Sequence, residues 1–214
     1  MTIFRNRTFQ RVRHKVIYGF VVETVGRRLS RRGLTIRPLY VFKEGLSGRK
    51  PKDFERSCRE YETAFLTSED MKVLDRIDGR DTTEGAMRDL IGKGGKCLGI
   101  KIDGKIAGFT WCRFDRFDHP LTKEFTLREN EAYLFDMYVL KAYRGMNIAP
   151  FLRYRCYEEL AEIGRTVLYS YSDVSNGSAV RFKKKLDARV VSVWLHIRLG
   201  KRFQWNWKLK TYEQ

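Results

Sequence analysis

The pattern of apolar and polar residues changes its period once in the middle of the chain, and this change marks its most informative segment. Residues 134–139 alternate as in a strand, with Phe135, Met137 and Val139 on one face and Asp136 and Tyr138 on the other. The spacing then becomes helical, with four apolar residues at intervals of four: Ile148, Leu152, Cys156 and Leu160. The pattern predicts a strand that passes through a short turn directly into a helix over 148–163.

Further elements are predicted on both sides of this segment. Before it lie a strand at 61–67, a helix from Thr67 or Ser68 to Ile77, a helix over 82–91, a hairpin over 97–114 that turns at Asp103-Gly104, and a long loop over 115–130. After it lie a strand at 166–172, a helix capped by Ser175 or Asn176, and a hairpin over 190–209 that turns at Gly200-Lys201. Strands and helices therefore alternate along the chain, which indicates an α/β or α+β fold.

The N-terminal residues follow a different pattern. Residues 3–29 place apolar side chains at three- to five-residue intervals among arginines and a lysine, which predicts a basic amphipathic helix. A short strand at 34–42 and a polar linker at 45–54 follow. We therefore expect a basic extension over 1–55 and a main domain over 56–214. The helix either packs against the main domain or lies on an anionic membrane, and the sequence leaves both open.

Composition limits the class of protein. With 214 residues and 43% hydrophobic residues, the chain can bury one core as a globular domain. No apolar run approaches the roughly 20 residues that a membrane span needs, and no signal peptide is expected. The four cysteines are widely spaced, which argues against a zinc site or a disulfide framework. We therefore expect no metal and a cytoplasmic location.

The net charge of +17 is unevenly distributed. Residues 1–60 carry 16 Lys or Arg against 5 acids, whereas residues 61–214 carry 27 against 21. Such a basic segment attracts nucleic acid, anionic lipid or acidic small molecules, or is merely a solvated surface. No nucleic-acid-binding motif is present, so nucleic acid is not expected as the primary partner. Peripheral contact with the inner face of an anionic membrane remains a physically reasonable alternative.

The turn before the central helix has the features of an anion-binding site. The first N–H groups of a helix lack internal partners and carry the positive end of its dipole, so a pyrophosphate is the natural ligand. The turn reads Arg144-Gly145-Met146-Asn147-Ile148-Ala149. It resembles the acyl-coenzyme A signature of the GNAT superfamily, which is Arg or Gln, two residues, Gly, one residue, then Gly or Ala. Asn147 replaces a usual glycine, and Asn is the residue that best tolerates a left-handed backbone in its place.

A second motif agrees with this resemblance. In GNAT proteins a strand and an Asn-x-x-Ala helix follow the turn, and here Asn176 and Ala179 match. The resemblance extends over residues 60–210. It implies a central mixed, mostly antiparallel sheet of six to seven strands with flanking helices. It also implies acyl-CoA-dependent N-acyl transfer, with acetyl-CoA or another acyl-CoA as co-substrate. The coenzyme contacts that it implies are Tyr138, Val139, Leu140, Arg144, Gly145, Met146, Asn147, Ile148, Ala149, Asn176 and Ala179.

Acyl transfer from a thioester to an amine needs a deprotonated amine, stabilisation of the oxyanion and a proton for the departing thiolate. The resemblance implies direct attack in a ternary complex, with a backbone N–H of residues 138–140 at the thioester carbonyl. Asp136, the only acid on its strand after Glu131, is the candidate base or amine anchor. The alternative is a carboxylate that only pairs with a nearby arginine.

The proton donor is harder to assign. GNAT enzymes commonly have a tyrosine directly after the position of Phe182, where this chain has Lys183. Tyr171 and Tyr169 on the preceding strand are candidates, of which we select Tyr171; buried packing and a solvent donor are the alternatives. The run Lys183–Lys185 is either a solvated helix end or a contact for coenzyme phosphates.

The acceptor side is less well defined by the sequence. Trp205 with Trp207, and Trp194 with His196, share strand faces that either line an acceptor slot or pack in the core. His119 in the long loop is a candidate mobile base or a surface residue. We expect an acetyltransferase for a primary amine of a small molecule or amino-sugar. The alternative is a catalytically weak GNAT-like binding module that associates with membrane or RNA through its basic N-terminus.

Overall fold

The computed structural model describes residues 28–29, 33–46, 61–78, 80, 82–119, 124–200 and 202–212. The strands are β1 (Leu34–Glu44), β2 (Glu62–Phe65), β3 (Lys96–Ile102), β4 (Lys105–Arg113), β5 (Arg116–Phe117), β6 (Phe125–Thr126), β7 (Glu131–Val139), β8 (Val167–Asp173), β9 (Arg189–Leu199) and β10 (Phe203–Thr211). The helices are α1 (Met71–Asp75), α2 (Glu84–Gly92), α3 (Ile148–Glu162) and α4 (Gly177–Lys185), with a 3₁₀ turn at Lys141–Tyr143.

Eight of these strands form one mixed sheet in the order β10-β9-β1-β8-β7-β4-β3-β2, and β5 pairs with β6 in a small second sheet. Every neighbouring pair in the large sheet is antiparallel except β7 and β8. The predicted mostly antiparallel α/β fold is therefore confirmed. The sheet has eight strands rather than six to seven, because β1 is one of its inner strands.

The position of β1 corrects the prediction that its residues belong to an N-terminal extension. β1 pairs with β8 on one side and with β9 on the other, and its Leu39 and Phe42 side chains are fully buried. A strand that is paired along both edges and carries buried apolar side chains is an inner strand of the sheet. It therefore belongs to the main domain. All but residues 28–29 of the predicted amphipathic helix and most of the polar linker lie outside the described residues, and the boundary near residue 55 stays a prediction.

A β-bulge in β7 corrects the predicted faces of that strand. Phe135 pairs with Trp111 and Tyr138 with Phe109, so β7 has one residue more than β4 between these pairs. Asp136 lies at this bulge with a φ of 44°, in the left-handed region. The side-chain alternation shifts there: Met137 packs with α3, whereas Phe135 packs on the opposite side of the sheet. The prediction that Phe135 and Met137 share a face is therefore wrong.

Apolar clusters lie on both sides of the sheet and fix the helices against it. α3 covers one side through Leu152, Cys156 and Leu160, which are fully buried. α1 and α2 cover the other side through Met71, Leu74 and Met87. A third cluster of Leu39, Val41, Phe117, Tyr133 and Trp194 lies under the small β5-β6 sheet.

The local predictions for turns and caps are largely confirmed. Both hairpins turn at the predicted glycines, Gly104 and Gly200, each with a positive φ. Asn176, one of the two predicted caps, caps α4 by accepting a hydrogen bond from a backbone N–H group, and Thr83, which was not predicted, caps α2 in the same way. α1 is shorter than predicted and begins after Asp70 rather than after Thr67 or Ser68. Within the part of the chain that the structure describes, no helix is long and apolar enough to cross a membrane.

Candidate active site

The parallel strands β7 and β8 separate along their length and open a cavity between them. They pair only from Glu131–Tyr133 to Val167–Tyr169, so the bulged half of β7 has β4 but not β8 beside it. The resulting cavity measures about 710 Å³. Its walls include eight of the predicted site residues: Asp136, Tyr138, Val139, Arg144, Ala149, Tyr171, Asn176 and Ala179.

The turn before α3 has the backbone shape that the sequence predicts. Gly145 and Asn147 have φ values of 88° and 54°, and Asn147 is the N-cap of α3. Asparagine therefore adopts the left-handed conformation that a glycine would otherwise supply. Pro150 occupies the third position of the helix and has no N–H, so the first turn offers one donor fewer than usual. The N–H groups of Ile148 and Ala149 remain at the helix N-terminus.

The other predicted coenzyme contacts are placed differently by the structure. The Ile148 side chain is 1% exposed and belongs to the core under α3, so only its backbone can serve a ligand. Leu140 packs on the α1 and α2 side, and its N–H donates to the Ala107 carbonyl at 2.9 Å. The Met146 side chain is exposed. None of these three side chains, nor Gly145 or Asn147, lines the cavity.

The strand pairing selects one backbone donor in the 138–140 stretch. The Leu140 N–H points to β4, where it donates to the Ala107 carbonyl. Val139, the residue before it, lies opposite Gly108 of β4. Because backbone groups of consecutive strand residues point to opposite edges, the Val139 N–H points away from β4 and toward the gap. The Val139 carbonyl on that edge accepts a hydrogen bond from Arg144 Nε at 3.2 Å. Val139 is thus the residue of this stretch whose N–H faces the cavity.

A second helix N-terminus points at the same cavity. Asn176 caps α4 by accepting the Ala179 N–H at 3.1 Å, and Ser178 and Ala179 in the first turn line the wall. Four cationic side chains also line it, which are Arg37, Arg144, Arg153 and Lys183, against the carboxylates of Asp136 and Asp173. Two helix dipoles and a surplus of positive charge favour a large anionic ligand.

Comparison with known families agrees with this geometry. Residues 56–187, more than half of the chain, match the model of the acetyltransferase (GNAT) family. The chain belongs to the GNAT family. Members of this family are acetyltransferases that use acetyl-CoA as co-substrate. None of the curated proteins matches the chain.

Solved structures share the fold of this chain at low sequence identity. An acetyltransferase assigned to the GNAT family from Novosphingobium aromaticivorans is 22% identical, with a TM-score of 0.53 over 80% of this chain and 69% of its own. GNAT proteins from Colwellia psychrerythraea and Sphaerobacter thermophilus are 14% and 16% identical, with TM-scores of 0.56 and 0.55 over 78% and 83% of this chain. The chain spans 57% of the length of each of these two.

Asp136 lines the cavity, and its carboxylate has a partner. Arg80 donates from Nη1 to Oδ1 at 3.0 Å and from Nη2 to Oδ2 at 2.5 Å. The Arg80 side chain is 7% exposed and lies over the rings of Phe109 and Tyr138. This bidentate ion pair is the alternative that the sequence left open, and it fixes the direction of the carboxylate. The lone pairs that do not face Arg80 can still accept a proton or an ammonium group.

Tyr171, the predicted proton donor, lines the cavity, whereas Tyr169 does not. The Tyr169 hydroxyl donates to Glu131 at 3.1 Å, away from the gap. Burial raises the pKa of Tyr171, and its ring lies 3.4 Å from that of His119, centroid to centroid. Burial also lowers the pKa of His119 to about 4. His119 is only 9% exposed, so it is not a surface residue, and its ring packs against that of Tyr171.

A buried charge cluster at the cavity floor escaped the sequence analysis. Glu44 lies between Arg153 and Lys183, with nearest atoms at 3.7 and 3.6 Å, and it accepts hydrogen bonds from Tyr157 and Ser170. Burial alone would raise the pKa of Glu44. The two cations and the two hydroxyl groups lower it by more, so the pKa of Glu44 lies below its usual value and the carboxylate stays ionised. One carboxylate faces two cations, and the cluster therefore carries a net positive charge.

Lys183 is the titratable member of this cluster. Its ammonium group donates to the Ser170 hydroxyl and to the Tyr171 carbonyl, both at 2.6 Å. Burial lowers its pKa to about 8, and Glu44 opposes that shift. Lys184 and Lys185 are exposed, so the predicted solvated run has one buried member. The spacing Ala179, Lys183, Leu186 on one helix face was the available signal, since both neighbours are apolar.

The tryptophans do not form a single acceptor slot. Trp194 and His196 are buried on one face of β9, and His196 contacts Asn206 at 2.7 Å. Lys208 pairs with Trp194, so Trp205 and Trp207 point to the opposite side of the sheet. Both are exposed there, and the cavity wall contains neither.

Proposed function

We propose that the chain transfers the acetyl group of acetyl-CoA to a primary amine of a small molecule, by direct attack in a ternary complex. The observation that carries this proposal is the convergence on one cavity of two helix N-termini, a backbone donor, the Asp136 carboxylate and the Lys183 ammonium group. The helix N-termini suit an anionic coenzyme, while the backbone donor, the carboxylate and the ammonium group correspond to the three demands of acyl transfer from a thioester to an amine.

The coenzyme pyrophosphate would bind at the turn 144–149, against the N–H groups of Ile148 and Ala149. The left-handed Gly145 and Asn147 shape this turn, and Arg144 beside it adds a positive charge. Ala149 lines the cavity, where a small side chain lets a phosphate approach the backbone. The pantetheine arm would then extend along the open edge of β7, whose Val139 N–H faces the gap. That N–H would stabilise the oxyanion on the thioester carbonyl.

Asp136 would anchor the acceptor amine and take its proton. Its two oxygens are held by Arg80, so their outward lone pairs have a fixed direction toward the cavity. A positioned carboxylate attracts the ammonium form of the acceptor and accepts the proton that leaves on attack. The nucleophile is then the neutral amine, and no covalent intermediate with the enzyme forms.

Lys183 suits the remaining proton transfer better than Tyr171 does. When the carbon–sulfur bond breaks, its electron pair stays on sulfur and the thiolate takes a proton. The Lys183 pKa of about 8 is close to that of an ordinary thiol of about 8.5, so the proton moves between matched groups. The raised pKa of Tyr171 makes the phenol a weaker acid. Neutral Lys183 would regain its proton from solvent before the next turnover.

The buried thiols support a reducing cytoplasmic location as part of the proposal. Cys97, Cys112 and Cys156 are free and buried, and burial raises the pKa of each. Thiols kept protonated in a core are suited to a reducing compartment.

The test is a coupled measurement of free coenzyme A and acetylated product. The purified chain is incubated with acetyl-CoA and a panel of small primary amines, amino-sugars and amino acids at about pH 8, near the Lys183 pKa. We expect stoichiometric thiol and N-acetyl product with at least one acceptor class. A protein that is stabilised by acetyl-CoA but acetylates nothing in the panel would favour the alternative, a catalytically weak binding module.

A further inference from the structure

One end of the large sheet carries an apolar face that belongs neither to the core nor to the cavity. Successive residues of β1, β9 and β10 meet there in register, because Ile36 pairs with Ile197 and Ile197 with Trp205. The same alternation adds flanking residues of all three strands to this surface, which we call the hairpin face: Leu34, Ile36, Pro38, Leu195, Ile197, Leu199, Phe203, Trp205 and Trp207.

The large apolar side chains of the hairpin face are unusually exposed to solvent. Phe203 and Trp207 are each 52% exposed and Trp205 is 41% exposed, while Ile36 and Leu199 are exposed to a similar degree. The rings of Phe203 and Trp205 stack nearly in parallel, with centroids 6.0 Å apart, so these aromatic side chains adjoin one another. A contiguous apolar surface of this kind on a soluble domain marks an interaction site.

Charge identifies the chemistry of its partner. Residues 189–212, which form the β9-β10 hairpin, carry six Lys or Arg and no acid. Lys210, which pairs with Val193 on the side of Leu195, and Arg202 at the turn are exposed beside the hairpin face, whereas Arg198 and Lys208 are exposed on the other side of the sheet. Residues 1–32, which precede β1 in the sequence, add nine Lys or Arg against one acid. Gly33, which directly precedes β1, lies at the rim of the hairpin face, where its carbonyl accepts a hydrogen bond from the Gly200 N–H at 2.7 Å.

We propose that the hairpin face docks the protein on an anionic lipid bilayer. Aromatic and aliphatic side chains enter the interface between headgroups and acyl chains, where tryptophan is favoured, and the basic residues attract the anionic headgroups. A second copy would bring a net charge of +17 against the same charge, and residues 1–32 would place their basic charge against a basic hairpin. Single-stranded RNA fits the charge, but the aliphatic half of the face offers bases nothing to stack on.

The location of the face gives docking a consequence for catalysis. Ile36 and Pro38 flank Arg37, whose side chain lines the cavity from the opposite side of β1. A bilayer on the hairpin face would lie across β1 from this part of the cavity wall, so docking would hold the cavity at a short distance from amines at the membrane surface. This consequence rests on the proposed function, whereas docking itself does not.

Vesicle binding tests the proposal without reference to activity. The full-length protein is mixed with phosphatidylcholine vesicles, with and without phosphatidylglycerol, at about 20 mM salt, where charges are weakly screened. We expect co-sedimentation with the anionic vesicles alone and quenching of tryptophan fluorescence by brominated acyl chains. The double substitution Trp205→Ser with Trp207→Ser should weaken vesicle binding at least tenfold. Val73→Ser, which removes an equally exposed apolar side chain from α1, should leave binding unchanged.

Several results would overturn the proposal. One is an absence of anionic vesicle binding by the full-length protein at low salt; another is equal binding by the Trp205→Ser, Trp207→Ser protein. Light scattering that shows a dimer whose contact shields both tryptophans from a soluble quencher would assign the face to a second copy. Shielding that is lost on removal of residues 1–32, without lipid, would assign it to the N-terminal segment. Tighter binding of single-stranded RNA that depends on both tryptophans would assign it to nucleic acid. Quenching by brominated lipid is read on the unsubstituted protein, so it needs no folded variant.

Discussion

Arg80 determines how Asp136 can act, because the two side chains form one ion pair. The bidentate ion pair holds the carboxylate at a bulge whose backbone is in the left-handed region, so both the position and the direction of the side chain are fixed. A carboxylate with one fixed outward edge suits recognition of an acceptor ammonium group. The same ion pair also stabilises the bulge, which means that structural and catalytic roles must be separated by measurement.

Asp136→Asn separates them because asparagine keeps the shape and loses the charge. We expect turnover at saturating acceptor to fall roughly 100- to 10,000-fold, the usual range for a general base, while affinity for coenzyme A stays nearly unchanged. Steady-state kinetics and calorimetric titration give the two numbers. Arg80→Met is the matched comparison, since it removes the other half of the ion pair. A loss of less than about threefold in Asp136→Asn, with an unaltered pH profile, would leave Asp136 with a structural role only.

Lys183 is a second residue whose role can be tested through its chemistry. Lys183→Met should lower turnover with acetyl-CoA about 100-fold or more, because the thiolate loses its proton donor. With a nitrothiophenyl thioester the leaving thiolate needs no proton, so the substitution should cost little. In the unsubstituted enzyme, turnover should fall as the pH rises through the Lys183 pKa of about 8, since the ammonium form is the active one.

The neighbouring lysine supplies the control for that experiment. Lys184→Met changes an exposed residue of the same helix and should leave turnover within about twofold of the unsubstituted enzyme. Glu44→Gln should move the alkaline limb of the pH profile to lower pH, because Glu44 raises the Lys183 pKa. Equal losses in Lys183→Met with both thioesters would contradict a role as proton donor and indicate a packing role.

Among the elements, those fixed by local patterns were predictable from the sequence. The hairpin at Asp103-Gly104, the turn into α3 and the Asn176 cap all depend on residues within a few positions of one another. The left-handed Asn147 also follows from the residue type. The turn into α3 and the Asn176 cap also form the part of the cavity wall at which the sequence predicts the coenzyme.

Elements fixed by distant partners were not predictable in the same way. The bulge at Asp136 exists because β7 has one residue more than β4 between two cross-strand pairs, and periodicity within β7 alone does not show it. The sequence near residue 40 predicts a strand but not that β8 and β9 enclose it. The sequence therefore does not predict that Glu44, at the end of that strand, lies beside Lys183, although their nearest atoms are only 3.6 Å apart.

At the scale of the whole molecule, the central feature is the cavity that forms where β7 and β8 separate. Both helix N-termini, the open edge of β7 and the surplus of cationic side chains meet there. An anionic coenzyme bound with its pyrophosphate on the turn 144–149 connects all of these features. The central claim is that this turn holds the pyrophosphate through its backbone.

Calorimetric titration with acetyl-CoA tests that claim most directly, on the unsubstituted protein and on Ala149→Trp. Ala149 lies in the first turn of α3 and lines the cavity, so an indole there occupies the space that a phosphate needs. Ile163→Trp adds the same bulk at the exposed opposite end of α3 and serves as the control. We predict one acetyl-CoA site in the unsubstituted protein and in Ile163→Trp, and binding weakened about 30-fold or more, which is about 2 kcal/mol, in Ala149→Trp. Equal affinity in a folded Ala149→Trp protein would contradict the account.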